Sequence, residues 1–419
     1  MGGVLEHVYL GRQPVIDLKE ELFAYEILYR DSEKKSTITD DRFASAAVIS
    51  HVLNKFGTQS LLGNRKAFVK IDQKFLMSDI IFSIPKEFFI FCILDSVQIN
   101  EKTIERVQQL FEKKYTLCIN DTKLTEEHLQ KYKPIFKELS YFKVNFKEGI
   151  SRHTKILIDD LKLQNIKVVG THIEDSIYFD LAKRSGCDLF QGYFLAKPKI
   201  FENEKCDSSQ FNILKIYNLL MDDTNIDEIT KEFEKNHALT IQLLQFINSG
   251  YFSFRNKIST IHHVLTLLGR TQLSQWLMLM VYSKSVSKNG HISPLILMAK
   301  NRTELMQKIF KAIRPEAKSN ALGEAYFVGV LSLIDAIFGV ELPIILEKMH
   351  VSQEIKDALL KNKGTLGDIY LLVRAVEAFN TEAIEDFIQK YHLNHEIIRA
   401  SILQSIESVN SFELSLKAQ

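Results

Sequence analysis

Cysteine is scarce in this chain of 419 residues, which holds four of them. Cys92, Cys118, Cys187 and Cys206 lie far apart and form no CxxC pair. A disulfide framework or a zinc site needs cysteines at characteristic spacings, so the sequence predicts reduced thiols of the kind that the cytosol maintains. We therefore expect a cytoplasmic protein without disulfides.

A surplus of charge of one sign is also missing. The 53 basic residues nearly balance the 52 acidic ones, which leaves a net charge of +1. Proteins that bind nucleic acid usually carry a basic surface that neutralises phosphates and releases counterions. The balance disfavours nucleic acid as a partner, although local clusters such as Lys113-Lys114 leave that class open as a lower option.

Long apolar runs are absent as well. The most apolar long window, residues 326–340, is shorter than a membrane span and is interrupted by Asp335. The first residues, MGGVLEHVYLGRQP, contain no basic region followed by an apolar stretch, so we expect no signal peptide. The sequence thus predicts no membrane insertion.

Up to about residue 200, short runs rich in β-branched and aromatic residues alternate with helical patterns such as residues 102–114. Repeated strand and helix units predict a parallel sheet covered by helices, and eight runs fit a (β/α) barrel. The first two runs lie too close for a helical crossover, so we expect that pair to be antiparallel. The eight runs are residues 8–17, 22–30, 67–72, 88–94, 116–121, 141–146, 167–173 and 189–195.

Beyond a charged segment at residues 197–209, the strand pattern fades and helical patterns continue almost to the end. Residues 368–379 are typical of these, because their apolar side chains form one stripe of a helix. We expect an α/β domain at residues 1–200 and an all-helical domain at residues 201–419, with the charged segment as their linker.

Three stretches carry a resemblance to known families. EILYR (26–30) resembles the Glu-Ala-Leu-x-Arg signature of EAL cyclic di-GMP phosphodiesterases, and GCDLFQGYFLAKP (186–198) resembles their closing Gln-Gly-Tyr segment. LLQFINSGYFSFRNKISTIHHVLTLLGRTQLSQW (243–276) resembles the HDOD domain, which has an HD-like fold. The chain thus resembles bacterial EAL–HDOD signalling proteins over about residues 4–400. This implies an EAL-type, TIM-like barrel followed by a helical HDOD domain.

The resemblance also implies where a binding pocket would lie. EAL enzymes cleave a phosphodiester with divalent metal ions that carboxylates hold. In this sequence Glu26 matches a metal ligand of the family, and Arg30 matches its phosphate-contacting arginine. The positions that match the family, and that we expect to line a remnant ligand-binding pocket, are Glu26, Arg30, Asp121, Lys143, Glu174 and Gln191.

Other family positions have lost their metal-binding groups. Lys70 stands where the family has a metal-ligating asparagine, and its ammonium would repel a divalent cation. Cys92 replaces a ligand glutamate, and its sulfur suits magnesium poorly. Asn120, Asn145, Thr171 and His172 are further departures, and TKLTEE (122–127) replaces a glycine-rich loop. We therefore expect no catalytic residue, no metal and no cofactor, because two-metal hydrolysis needs the lost carboxylates.

The helical half offers no better candidate for catalysis. Ser332 and Leu333 occupy the positions that match the His-Asp pair of HD phosphohydrolases, and Asp335 is interpreted as a polar residue on a helix face. His392 and His395 favour a surface or capping role, since no third ligand lies close in sequence. Trp276 is expected in the core. GxSxG, P-loop and HExxH motifs are all absent.

Three hypotheses of function follow from the resemblance. The first is an inactive signalling protein that binds other proteins in a cyclic di-GMP-linked or motility pathway. The second is a cyclic di-GMP receptor in which Arg30, Lys143 and Gln191 hold the nucleotide without cleaving it. The third is an active phosphodiesterase with an unusual metal site.

The retained residues also have a purely structural interpretation. Glu26 and Lys143 could form an ion pair at the barrel mouth, which contributes little unless it is buried. Gln191 could satisfy backbone groups at the end of its strand.

Overall fold

The computed structural model describes residues 8–31, 62–122, 124–147, 152–192, 208–222, 224–248, 258, 260–283 and 293–417. The chain divides into two compact units. The first comprises Met1–Lys197 together with Ala375–Asn410, and the second comprises Pro198–Arg374 together with Ser411–Gln419. The barrel and the helices that return to it therefore form one unit, and most of the helical half forms the other.

The first unit is built on a closed barrel of eight strands that follow one another in chain order. Strand β1 is antiparallel to both of its neighbours, β2 and β8, while all other neighbours are parallel. The predicted barrel and its antiparallel first pair are thus confirmed. The strands are β1 Val8–Asp17, β2 Leu22–Asp31, β3 Lys66–Ile71, β4 Phe89–Ile93, β5 Thr116–Thr122, β6 Tyr141–Asn145, β7 Lys167–Thr171 and β8 Leu189–Gln191.

The barrel interior is filled by side chains, as expected of a barrel with this number of strands. One residue or two from each strand point inward, because successive side chains of a strand alternate between its faces. The rings of Phe68 and Tyr141 meet edge to face, with centroids 5.5 Å apart. The interior cluster consists of Val15, Ala24, Phe68, Ile90, Cys92, Cys118, Tyr141, Val169 and Leu189.

Helices connect the parallel strands and cover the barrel. The predicted helix at residues 102–114 is confirmed as α2, where Asn100 accepts a hydrogen bond from the Thr103 amide (3.0 Å) and caps the N-terminus. Its apolar stripe buries Val107 and Leu110. The connecting helices are α1 Gln73–Met77, α2 Glu101–Glu112, α3 Glu126–Tyr132, α4 Arg152–Leu163 and α5 Ser176–Arg184, with 3-10 turns at Asp79–Ser83 and Lys133–Glu138.

The described part of the second half is helical, as predicted. Helix α15 buries the stripe expected at residues 368–379, including Ile369, Leu372 and Val373, and Trp276 lies in the core. None of the described helices is long and apolar enough to span a membrane. The helices are α6 Ser208–Met221, α7 Ile226–Glu234, α8 His237–Ile247, α9 Ile261–Ser283, α10 Pro294–Ile313, α11 Ser319–Leu331, α12 Ile334–Phe338, α13 Leu342–Glu347, α14 Gln353–Lys361, α15 Gly364–Glu377, α16 Thr381–Tyr391 and α17 His395–Lys417.

Residues 375–410 pack with the barrel, although they follow the helical half in sequence. The Phe379 ring lies against Gly11 of β1, since a Cβ built on Gly11 would stand 2.9 Å from Phe379 Cδ2. Arg12 Nη1 donates a hydrogen bond to Asn410 Oδ1 at 2.8 Å. This grouping differs from the predicted boundaries, 1–200 and 201–419, which stay a prediction. The predicted linker, 197–209, lies largely outside the described residues.

Candidate functional site in the barrel

A buried ion pair lies inside the barrel. Lys143 Nζ from β6 stands 3.0 Å from Glu26 Oε1 of β2, and the two side chains are 1% and 4% exposed. The same ammonium lies 4.9 Å from the centre of the Phe68 ring. The predicted Glu26–Lys143 pairing is confirmed, and its burial gives it far more weight than a pair at the surface would have.

Gln191 joins this pair from β8. Its Oε1 accepts a hydrogen bond from Lys143 Nζ at 3.1 Å, and its Nε2 donates to Glu26 Oε2 and to Gln13 Oε1, the latter at 2.7 Å. The interpretation that Gln191 satisfies backbone groups is therefore wrong, because its partners are side chains. The amide forms hydrogen bonds with both members of the buried charge pair, and such bonds are strong in low-dielectric surroundings.

Gln13 is a site residue that the sequence argument missed. It lies on β1 directly opposite Glu26 across the antiparallel pair. The register shifts between Val15 and Ile16, so counting back from the turn between β1 and β2 does not give this pairing. The alternation of side chains between the two faces of β1 could have identified Gln13, because it places Gln13 on the same face as the buried Val15.

The pair stays charged at neutral pH. Burial alone raises the pKa of Glu26, but the charges of Lys143 and Lys70 and the bond from Gln191 outweigh it and hold the pKa below its ordinary value. Burial alone lowers the pKa of Lys143, but the Glu26 carboxylate outweighs it and holds the pKa above its ordinary value. Each group thus keeps its partner ionised.

We expect the free energy of unfolding to fall in acid because of Glu26. A lowered pKa in the folded state means that its contribution is fully present above the ordinary value of 4.5 and is lost as the pH falls through the folded pKa. Urea midpoints measured from about pH 7 to about pH 3 should therefore decline less steeply for Glu26→Gln than for the wild type. Parallel declines would contradict this, with Glu87→Gln, which changes an exposed carboxylate, as the control.

Lys70 places a second cation beside Glu26. Its Nζ is 3.8 Å from Glu26 Oε1, and its side chain is 27% exposed. A divalent ion bound to Glu26 would have to lie close to both ammonium groups. At about 4 Å and an effective dielectric of about 20, each would repel it by about 8 kcal/mol. The charges around Glu26 therefore oppose the metal site that the resemblance implies.

The neighbouring positions where the resemblance expects metal ligands offer no carboxylate either. Cys92 on β4 and Cys118 on β5 lie side by side in the sheet as free thiols, and both are fully buried. Burial raises the pKa of the Cys118 thiol, and contact with Cys92 raises it further, so it stays a protonated and soft group. Thr171 Oγ1 donates to the Val144 carbonyl at 3.2 Å. Asn120 Oδ1 is buried without a hydrogen-bond partner in the described structure, but one neutral acceptor does not replace the carboxylates.

Of the other expected site residues, only Glu174 has a described side chain, and it does not join the cluster. Glu174 follows β7 and is exposed, and no described ion pair or hydrogen bond links it to Glu26. Arg30 and Asp121 lie on β2 and β5, and their side chains fall outside the described part. Among the described residues, no group of three or more His, Cys, Asp and Glu side chains is placed to hold a metal ion. The described side chains of the cluster, with one carboxylate between two ammonium groups, do not fit a two-metal centre.

A second polar network lies after β4. Asp95 Oδ1 accepts hydrogen bonds from Tyr132 (2.7 Å) and Lys131 (2.9 Å), and its other oxygen lies 3.7 Å from His128 Nε2. Thr125 caps α3 by accepting from the His128 amide at 3.3 Å. The helix that follows β5 is thus capped at its N-terminus and tied to the turn after β4.

A buried arginine contacts Ser332 in the helical half. Arg302, which is 5% exposed, donates from Nη1 to Ser332 Oγ at 2.9 Å and to the Ser332 carbonyl at 3.2 Å. Asp335 lies in the first turn of α12 and accepts from the Ala336 amide at 2.9 Å. Burial raises the pKa of Asp335. A guanidinium therefore contacts the position where the resemblance expects the histidine of an HD pair.

Comparison with known proteins matches part of the helical half to a domain family and most of the chain to two relatives. Residues 211–349 match the HDOD domain family. The uncharacterized protein YuxH of Bacillus subtilis is 25% identical over 389 residues, which cover 90% of this chain and 93% of YuxH. A Vibrio cholerae protein named cyclic di-GMP phosphodiesterase CdgJ is 22% identical over 408 residues, which cover 95% of this chain and 91% of CdgJ.

Solved structures that resemble the chain contain EAL domains. The Bacillus subtilis YkuI protein, in complex with c-di-GMP and calcium, is 15% identical with a TM-score of 0.36 and covers 59% of this chain and 69% of its own. The FimX EAL domain of Pseudomonas aeruginosa, bound to c-di-GMP, is 16% identical with a TM-score of 0.34 and covers 45% and 89%. The chain thus carries an HDOD domain in its helical half, and its N-terminal region resembles EAL domain structures.

Proposed function

We propose that the chain is a catalytically inactive regulatory protein that acts through protein–protein interactions in a cyclic di-GMP-linked pathway. The observation that carries the proposal is the state of Glu26, which is buried between the ammonium groups of Lys143 and Lys70. The name of the relative CdgJ supports the link to cyclic di-GMP.

The chemistry of phosphodiester hydrolysis supports the inactive assignment. Two divalent ions would have to neutralise the phosphate and generate the attacking hydroxide. Here the described cluster supplies one carboxylate, two ammonium groups, two thiols and amides. Hard cations need several oxygen ligands, of which carboxylates provide the charge. A protein whose barrel retains its fold without these ligands is suited to binding rather than to hydrolysis.

A cyclic di-GMP receptor is the second candidate. Lys70 favours it, because its partly exposed ammonium brings positive charge to the cluster without any metal. A phosphate could pair with that charge directly, and Arg30 is the further residue that we expect to contact a phosphate. In this case the buried cluster of Glu26, Lys143 and Gln191 would form the base of the pocket and fix its geometry.

Calorimetric titration with cyclic di-GMP, with and without Mg²⁺, separates these functions. The regulatory proposal expects no hydrolysis with Mg²⁺, Mn²⁺ or Ca²⁺. A receptor would bind equally well without Mg²⁺, and Arg30→Ala and Lys70→Met would each weaken binding about tenfold or more. Lys66→Met is the matched control, since Lys66 is exposed at the other end of β3.

Hydrolysis that disappears in Glu26→Gln would overturn the proposal in favour of an active phosphodiesterase. Absence of both hydrolysis and binding leaves protein partners as the means of action. If affinity purification from native lysate then recovers no protein specific to this chain, the regulatory proposal also fails.

A further inference from the structure

Strand β1 contacts a different part of the molecule with each of three consecutive residues. Gly11 leaves room for the ring of Phe379. Arg12 donates to the side chain of Asn410 at 2.8 Å. Gln13 accepts a hydrogen bond from Gln191 of the Glu26–Lys143 cluster at 2.7 Å. A single short segment of strand thus contacts both the C-terminal helices and the candidate site.

The contacts with the C-terminal helices are specific. Phe379 has a φ of 54°, a left-handed conformation that costs a bulky residue free energy and persists only where packing holds it. The Asn380 amide donates to the Ala375 carbonyl at 2.8 Å and fixes this turn after α15. Asn410 is 5% exposed, and its partner Arg12 also lies 4.3 Å from the centre of the Tyr25 ring.

The chain leaves the barrel after β8 and later returns to pack against β1. Gln191 ends β8, and the chain then enters the second unit, Pro198–Arg374. After that unit it returns as residues 375–410, which pack against β1. Strands β1 and β8 are neighbours in the barrel. The Gln13–Gln191 hydrogen bond joins those two strands within the candidate site.

We propose that residues 375–410 act as a clamp on β1 that positions Gln13 and thereby couples docking of these C-terminal helices to the Glu26–Lys143 cluster. Docking and release of this C-terminal clamp are the two states that the coupling requires. In the released state Gln13 loses its fixed position, and Gln191 loses one of its acceptors. The proposal goes beyond the function proposed above, because it concerns coupling within the barrel unit and holds with or without a nucleotide.

The test uses the full-length protein without any ligand. Phe379→Ala removes the ring that packs on Gly11, and N-ethylmaleimide labelling of the buried Cys92 and Cys118, resolved by mass spectrometry of their peptides, reports opening of the site. We expect labelling at both cysteines and hydrogen exchange along β1 to become about tenfold faster or more, because local opening becomes more frequent. Phe379→Leu should restore most of the protection.

Leu371→Ala is the matched control, because it removes a large apolar side chain of α15 that is 43% exposed. The double variant Gln13→Ala with Phe379→Ala should be labelled no faster than the more reactive single variant, since both act on one link. If Phe379→Ala does not fold, Asn410→Ala, which removes the acceptor of Arg12, carries the same test.

Two results would overturn the proposal. In the first, exchange accelerates in residues 375–410 while Cys92, Cys118 and β1 stay at wild-type rates, which would make the helices a passive cover. In the second, Leu371→Ala accelerates labelling as much as Phe379→Ala does, which would indicate general destabilisation. Neither result depends on whether cyclic di-GMP binds, so failure of the clamp is distinguishable from failure of the proposed function.

Discussion

Replacing Lys143 by methionine should lower the free energy of unfolding by about 3–5 kcal/mol, because it leaves the buried Glu26 carboxylate without its closest counter-charge. The two side chains are almost completely buried and 3.0 Å apart. Water cannot reach Glu26 to replace the lost ammonium. Urea denaturation at neutral pH measures the effect directly.

Two further variants test whether the loss of charge, and not of side-chain volume, causes this fall in stability. Lys70→Met should cost only about 0–1 kcal/mol, since Lys70 is partly exposed and stands farther from Glu26. The double variant Glu26→Gln with Lys143→Met should recover much of the loss, because it removes both charges. A double variant as unstable as Lys143→Met alone would mean that the volume of the lysine side chain matters more than its charge.

Gly192→Ala should be the most damaging small substitution in the barrel, with a loss of about 3 kcal/mol or more. Gly192 follows Gln191 directly and has a φ of 158°, and a Cβ built on it would stand 1.9 Å from the Ile173 carbonyl oxygen and 2.6 Å from the Ile173 nitrogen. Backbone atoms cannot move aside as the end of a side chain can. The segment after β8 would have to shift, and Gln191 with it.

Thermal unfolding of the purified variant measures this loss. Gly323→Ala is the matched control, because Gly323 lies in α11 and a Cβ there would meet its nearest neighbour at 3.7 Å. That variant should be neutral or more stable by up to about 1 kcal/mol, since alanine favours helix over glycine. Equal melting temperatures for Gly192→Ala and the wild type would show that the close approach to Ile173 can relax.

The sequence was sufficient to predict the barrel because each strand carries its own local signal. Runs such as FFIFCIL (88–94) are apolar and rich in aromatic residues, and the 102–114 segment has helical spacing. The short connection between the first two runs was enough to predict that they are antiparallel. The Glu26–Lys143 pair could also be predicted, since both residues lie on strands of one barrel.

Contacts between residues distant in sequence could not be predicted in the same way. The pairing of Gln13 with Gln191 depends on closure of the barrel between β1 and β8 and on the register shift next to Val15. The packing of Phe379 on Gly11 depends on the path of the returning helices, on which no local pattern reports. A glycine within a strand pattern, as in FQGYFLAKP (190–198), often marks a close approach of another backbone, but the neighbour itself, the backbone of Ile173, is evident only in three dimensions.

The contact between Arg12 and Asn410 joins residues that are 398 positions apart, and this separation has a consequence for synthesis of the chain. At about 5–20 residues per second, β1 leaves the ribosome roughly 20–80 seconds before the helix that carries Asn410. During that interval Gly11 lacks its contact with Phe379, and Arg12 lacks its contact with Asn410. The nascent barrel therefore exposes this stretch of β1 until the last helices are made, and a chaperone that shields β1 would act in this interval.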